Sequence, residues 1–316
     1  MPTAEGEDVS PVVFDDVYLQ PDAPDPLLEG HVIVEAARRH AGAAGRVLAV
    51  DESGGEARAY LLEGGVVVKT QRPHRLRPRT SLEKEALFLR ELERGGDFPV
   101  PRVLGHGEVQ EIEYLCLTRI PGSTLEQLDL AGDLHTAVLV ELGRTLRAIH
   151  ELDQSALRTS GLVPGDSTGH DLEPRIAETF DRLTGAFDRE RRLREIVDIR
   201  RIASARMACI PETIQPVALH SNPGPEHTFV DPVTGKFSGL IDFGDAYYSH
   251  PAFDFRPWSA PGDAAAVLAG YRSAGPLSNG FEDVLRTVLV IGELGRAARG
   301  RRAPGDLAAS LSRLLD

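Results

Sequence analysis

Two glycine pairs, Gly54-Gly55 and Gly64-Gly65, punctuate three short runs: Arg46–Val50, Arg58–Leu62 and Val66–Lys69. Glycine supplies the positive φ that tight turns demand. Strands joined by so few residues must pair antiparallel, because a parallel partner needs a crossover of a dozen residues or more. Residues 46–69 therefore predict an antiparallel meander, and its last strand ends on a lysine. The period then changes. Leu82, Ala86, Leu89 and Leu92 recur at helical spacing, with Ser81 placed as the N-cap and Gly95-Gly96 as the stop. Phe98-Pro99-Val100-Pro101 reads as an extended connector, since each proline holds the residue before it out of the helical region. Tyr114–Leu117 reads as a further strand, closed by Ile120-Pro121-Gly122.

The rest is mostly helical. A first helix is expected over 30–41, others over 134–151 and 173–207 (one long helix or a pair), and more across 263–315 with an arginine-rich break near 299–302. Thr228–Val230 and Phe237–Ile241 flank Asp231-Pro232-Val233-Thr234-Gly235 and read as a hairpin. The fold class is α+β, with three parts: an acidic arm over 1–30, a β-rich region over 31–120 and a mainly helical region over 121–316.

Charge narrows the partners. The net charge is −13, yet eight acids and no base fall in residues 1–30, where Val12-Val13-Phe14 could dock as a short strand. The arm is expected to be solvated or loosely attached. An acidic chain lacks the positive field that nucleic acid or an anionic membrane would recruit. Met1–Asp8 has no apolar stretch of a secretory leader, and no apolar run nears the roughly 20 residues that span a bilayer. Cys116 and Cys209 cannot build a disulfide framework and are expected as small buried hydrophobes. The expectation is a reduced, cytoplasmic protein. The highly charged 173–207 segment is nearly neutral overall and reads as a solvated face.

Only three of the 35 basic residues are lysines: Lys69, Lys84 and Lys236. On local sequence Lys69 reads either as a lysine snorkelling from a strand end or as a point charge aimed at phosphates. In the second reading Glu85, mid-helix beside the apolar positions, is favoured over Glu83 and Glu91 to hold the ammonium. Further on, the run His220-Ser221-Asn222-Pro223-Gly224-Pro225-Glu226-His227 precedes the hairpin, and Ile241-Asp242-Phe243-Gly244-Asp245-Ala246 follows it. Asp242 offers the oxygen ligand that a hard divalent cation on nucleotide phosphates requires. As an isolated tripeptide, Asp242-Phe243-Gly244 reads equally as an ordinary turn.

Taken in order, these features resemble the aminoglycoside phosphotransferase family of protein-kinase-like small-molecule kinases. The likeness runs from about residue 45 to residue 275. It includes Pro99-Val100-Pro101, Leu117–Gly122, Leu142-Gly143 to His150, and His250-Pro251-Ala252-Phe253-Asp254. The resemblance implies a two-lobed kinase-like fold that uses ATP or GTP with Mg²⁺. It implies that Ser53, Gly54 and Gly55 cover the phosphates, that Lys69 contacts them while paired with Glu85, and that the backbone of Thr118, Arg119 and Ile120 meets the purine. Asp242 would ligate the metal, Asp254 would brace the catalytic loop, and His220 would order that loop's backbone. Trp258 is expected to pack in the helical region.

Two positions depart from the pattern. His227 stands where many members have a metal-binding asparagine; a neutral imidazole can still coordinate. Asn222 stands at the position of the catalytic aspartate. A carboxamide can hold a hydroxyl but cannot take its proton near neutral pH. The chain is then an engineered variant, a nucleotide-binding pseudokinase with a regulatory or interaction role, or an enzyme using another carboxylate, with Asp245 and Glu226 nearest in sequence. The activity implied by the resemblance is phosphorylation of a hydroxyl on an aminoglycoside-like antibiotic or related metabolite, with sugar, amino-alcohol and macrolide kinases as alternatives.

Overall fold

The structure, a computed structural model, describes residues 18–42, 44–78, 81–130, 132–166, 169–189, 193–300 and 304–315. Val12-Val13-Phe14 lies outside them. Helix α1 (Gly30–Arg38) leads into strands β1 (Val47–Asp51), β2 (Ala57–Leu62) and β3 (Val66–Gln71), the expected meander. The β2–β3 loop turns on Gly64 and Gly65, whose φ values of 84° and 72° a side chain would oppose. Burial alternates along both strands, so Tyr60, Leu62, Val66 and Val68 pack beneath α1 on Ile33, Ala36 and Ala37.

Helix α2 (Leu82–Gly95) follows, and the Ser81 hydroxyl accepts the Lys84 N–H as its cap. Strands β4 (Val103–Val109) and β5 (Ile112–Thr118) complete an antiparallel sheet in the order β1-β2-β3-β5-β4. The sequence pattern did not reveal β4, because Gly105 and Gly107 interrupt its alternation. A Cβ on Gly105 would come within 2.0 Å of the His40 ring, so the glycine lets the chain after α1 close over the sheet.

Beyond β6 (Ser123–Thr124) the chain is largely helical: α3 (Gly132–Glu151), α4 (Ser155–Ser160), α5 (Gly169–Arg189) and α6 (Leu193–Met207). The charged 173–207 stretch thus belongs to two helices. Short strands β7 (Val217–Leu219), β8 (Thr228–Val230), β9 (Phe237–Leu240) and β10 (Tyr247–Ser249) come next. The expected hairpin is β8–β9, extended by β6, while β10 pairs with β7. A 3-10 segment, Pro251–Trp258, leads to α7 (Pro261–Arg272), α8 (Phe281–Ala298) and α9 (Pro304–Leu315). Helices α3 and α7 touch through glycines: a Cβ on Gly143 would meet the Val267 carbonyl at 2.0 Å, and one on Gly270 the Val140 carbonyl at 1.9 Å. The larger core joins these helices to the inner face of α2 through Phe88, Leu89 and Leu92. Among the described residues no helix is long and apolar enough to cross a membrane.

Two expectations change. Residues 18–29, assigned by charge to a solvated arm, dock on the sheet. The Asp25 carboxylate accepts from Arg72 Nη2 (2.6 Å) and Arg58 Nη2 (3.1 Å), and Leu28 is buried. Both guanidinium groups are themselves largely buried; Asp25 from outside the sheet contacts both, and Glu52, just past β1, pairs with Arg58. Of the cysteines, Cys116 is fully buried, and burial pushes its thiol up to about 11. Cys209 is only half-buried, because it follows the end of α6 instead of facing the core.

Candidate active site

Strand β3 and helix α2 bring Lys69 and Glu85 together from the sheet side, and the turn after β9 adds Asp242 from the helical side. Lys69 Nζ lies 2.6 Å from Glu85 Oε2 and 2.6 Å from Asp242 Oδ1. Glu83 takes no part in this contact, and Glu91 pairs with Arg94. Burial opposes the charge on Lys69, but Asp242 and Glu85 outweigh it and keep the ammonium protonated well above its usual range. Glu85 is buried and pushed upward by desolvation, which Lys69 only partly offsets. Burial also acts to raise Asp242, yet the Lys69 ammonium holds its carboxyl well below the usual carboxylate range. Asp242 takes φ of 71°, a strained value for a non-glycine residue, where its carboxylate meets Lys69 and faces His227.

The Asn222 loop is held from several directions. Buried Asp254 accepts the His220 N–H (3.0 Å) through one oxygen and the Ser221 N–H (2.7 Å) through the other. His150 Nε2 donates to the same carboxylate at 3.0 Å, and its Nδ1 meets the Tyr271 hydroxyl at 3.0 Å. Desolvation pulls the His220 imidazole below its ordinary value, and its ring hydrogen bonds are those of a neutral imidazole. Its Nε2–H donates to the Ile241 carbonyl at 2.8 Å and its Nδ1 accepts the Asn222 N–H at 3.3 Å. Trp258 is buried as expected and also donates its indole N–H to the Pro223 carbonyl at 2.8 Å.

His227 links the two halves. Its Nδ1–H donates to the Asn222 carbonyl at 2.7 Å, which leaves Nε2 facing Asp242 Oδ2 at 3.3 Å. Lys69, Glu85, Asn222, His227 and Asp242 therefore form one connected cluster. Among the described residues no hydrogen bond or ion pair joins Ser53, Gly54 or Gly55 to this cluster: Ser53 N–H donates to Asp51 Oδ1 and Arg72 Nη1 to the Gly54 carbonyl. In the β5 exit, Thr118 N–H already bonds the Arg102 carbonyl and Arg119 N–H the Gly65 carbonyl. Only the Ile120 N–H of the three lacks a partner among the described residues.

Sequence reasoning missed Arg77, which contacts Glu56 just before β2 and reaches Asp245 Oδ2 at 3.4 Å. It lies in an irregular stretch without periodicity, so no local signal marks it. It also missed the Trp258 indole as a brace, since a sequence cannot tell a packed indole from a bonded one.

Known proteins share this fold. The sequence model described as "Phosphotransferase enzyme family" matches residues 47–287. The GDP complex of wild-type aminoglycoside 2′-phosphotransferase-IIIa superposes at a TM-score of 0.63 with 16% identity, over 91% of this chain and 97% of that one. The apoenzyme of macrolide 2′-phosphotransferase MphH from Brachybacterium faecium gives 0.57 and 20%, over 89% and 97%. The streptomycin–ATP ternary complex of APH(2″)-IIa gives 0.55 and 18%, over 92% and 97%. At these identities the likeness establishes a shared kinase-like fold. No curated protein matches the sequence.

Proposed function

The chain belongs to the phosphotransferase enzyme family, and from that footing we propose that it moves the γ-phosphoryl group of ATP or GTP to a hydroxyl of an aminoglycoside-like antibiotic or a related metabolite. One observation carries the reading: Lys69 Nζ sits within 2.6 Å of carboxylates from both sides of the cleft, Glu85 and Asp242. A cation fixed between two acids is poised to exchange one of them for phosphate oxygens without moving its own backbone. The solved relatives were captured with GDP and kanamycin and with ATP and streptomycin, which supports a nucleotide donor and a hydroxyl-rich acceptor.

Asp242 suits Mg²⁺, which takes few protein ligands and fills its shell with phosphate oxygens and water, and the His227 imidazole would reach the ion as a weaker contact made through water. With Nδ1–H spent on the Asn222 carbonyl, His227 keeps Nε2 as its donor lone pair beside Asp242 Oδ2. Among the described residues no third His, Cys, Asp or Glu joins them, so the nucleotide completes the set. Bound there, Mg²⁺ would neutralise charge developing on the phosphate oxygens. Lys69 adds a positive charge to the phosphates, and Glu85 keeps it extended. The free Ile120 N–H supplies a donor for the purine edge. The Asn222 amide holds the acceptor's hydroxyl group and aligns its oxygen.

Asn222 favours a second reading, a pseudokinase that binds nucleotide as a regulatory or interaction module. Calorimetric titration of the whole chain with Mg·ATP and Mg·GTP, followed by nucleoside-diphosphate release over hydroxylated antibiotics and metabolites, separates the two. The kinase reading expects binding that Lys69→Ala abolishes, together with acceptor-stimulated release. Binding without release supports the pseudokinase. Absence of binding sinks the site assignment.

A further inference from the structure

Asn222 is paired with a carboxylate. Its Nδ2 lies 3.4 Å from Glu226 Oε1, a hydrogen bond at the long end of the range. A carboxylate only accepts, so this contact sets the amide's orientation and turns Oδ1 away from Glu226. The carboxylate folds back over Gly224, where a Cβ would lie 2.4 Å from Oε2 and 2.8 Å from Oε1. Glycine at 224 leaves it that room.

The other acids around the loop are engaged. Asp242 contacts Lys69 and faces His227, Asp245 reaches Arg77, and Asp254 holds two backbone N–H groups and His150. Glu226 is half-buried, and its side chain's one hydrogen bond among the described residues is the one from Asn222. An aspartate at 222 would set two carboxylates against each other at about this separation, and like charges so close repel. Asn222 and Glu226 thus read as a matched pair, with the negative charge displaced four positions along one loop.

Building on the kinase reading above, we propose that Glu226 is the catalytic carboxylate of this chain, receiving the acceptor's hydroxyl proton while Asn222 holds both groups in register. In that step the acceptor oxygen bonds to the γ-phosphorus, and the bond from phosphorus to the β–γ bridging oxygen breaks. The nucleoside diphosphate leaves with that electron pair, the hydroxyl proton passes to a Glu226 oxygen, and solvent takes it after product departs. Asp245, the other carboxylate nearest in sequence, is directed at Arg77.

The test is a four-way exchange: the chain as it stands, Glu226→Gln, Asn222→Asp, and both together. Each is assayed for Mg·ATP and Mg·GTP affinity by calorimetry and for phosphate release with water as the acceptor. Glutamine keeps an oxygen that can accept from Asn222 and removes only the proton-accepting charge, so a merely structural role predicts no change in rate. We expect Glu226→Gln to lower kcat by about 10²- to 10³-fold, the span of a lost general base, with nucleotide affinity within about twofold. The double variant should recover to within about tenfold of the parent, because the carboxylate returns to 222 without a like-charged neighbour. An unchanged rate in Glu226→Gln, or a double variant as slow as Glu226→Gln, overturns the proposal. So does nucleotide binding without turnover in all four forms. Failure of all four to bind nucleotide removes the kinase reading itself and this inference with it.

Discussion

The two sides of the cleft order their functional groups by different physics. On the sheet side, charged side chains do it: Lys69 between Glu85 and Asp242, and Asp25 between Arg58 and Arg72. On the helical side the Asn222 loop is fixed mainly through its backbone. Asp254 receives two of its N–H groups, and Trp258, His227 and His220 bond its carbonyls and amides. An ion pair aims one side chain and depends on its identity. A braced backbone presents whatever residue the sequence puts there, which is how the loop keeps its shape with asparagine at 222.

The comparison breaks most visibly at Lys69. Lys69→Met leaves buried Glu85 without a counter-charge, and the expected loss of stability is about 3–5 kcal/mol by urea unfolding. Turnover should fall by at least about 10²-fold, the scale of one lost preorganised charge. Replacing Glu85 with Leu in the same protein should restore most of the stability and none of the turnover, because the burial problem disappears while the phosphate contact stays lost.

On the helical side Asp254→Ala is the matching lesion. It strands the His220 and Ser221 N–H groups, each worth about 1–3 kcal/mol when buried unsatisfied. Asp254→Asn keeps one acceptor oxygen and should lose roughly half as much, read as the urea midpoint. Trp258→Phe removes the donor to the Pro223 carbonyl and part of a buried ring, for about 1–3 kcal/mol. It should slow phosphate release several-fold and leave nucleotide affinity unchanged; weaker nucleotide binding would show that the two sides are not independent.

The smallest effect is expected at Asp25 and separates the sides by pH. Burial acts to raise its carboxyl, but the hydrogen bond and charge of Arg72 and the charge of Arg58 hold it below the ordinary value of 3.8. The folded pKa is depressed, so the stabilisation is complete above the unfolded value and is lost as pH falls through the folded one. The stability gap between the parent and Asp25→Asn should therefore be constant near neutrality and narrow below about pH 4, with added salt shrinking it further. A gap that ignores both would mean the docked segment is held by Leu28 and not by charge.

Much of this was legible in the chain. The glycine-separated strands, the Ser81 cap and the choice of Glu85 over Glu83 and Glu91 follow from turn chemistry and helical period, which depend on near neighbours. Strand β4 escaped because its glycines answer to the rings of His40 and Tyr114, contacts made by folding and invisible to periodicity. The docking of residues 18–29 escaped for a related reason: a run of acids reads as solvated until buried Arg58 and Arg72 are found waiting for one of them. At the site, the resemblance implied the whole Thr118–Ile120 backbone as the purine contact, whereas the sheet's own pairing leaves only the Ile120 N–H of the three without a partner among the described residues.

By itself, then, the sequence determined the α+β order of elements, the family and the residue types the chemistry would need. The tertiary structure alone decided which charge faces which. Lys69 and Asp242 meet across 173 positions, and Asn222 proved to be paired with Glu226 instead of standing alone. Local pattern records the interactions of residues a few positions apart. A proton's or a phosphate's partner is chosen by distance in space, and only packing of the finished fold sets that distance.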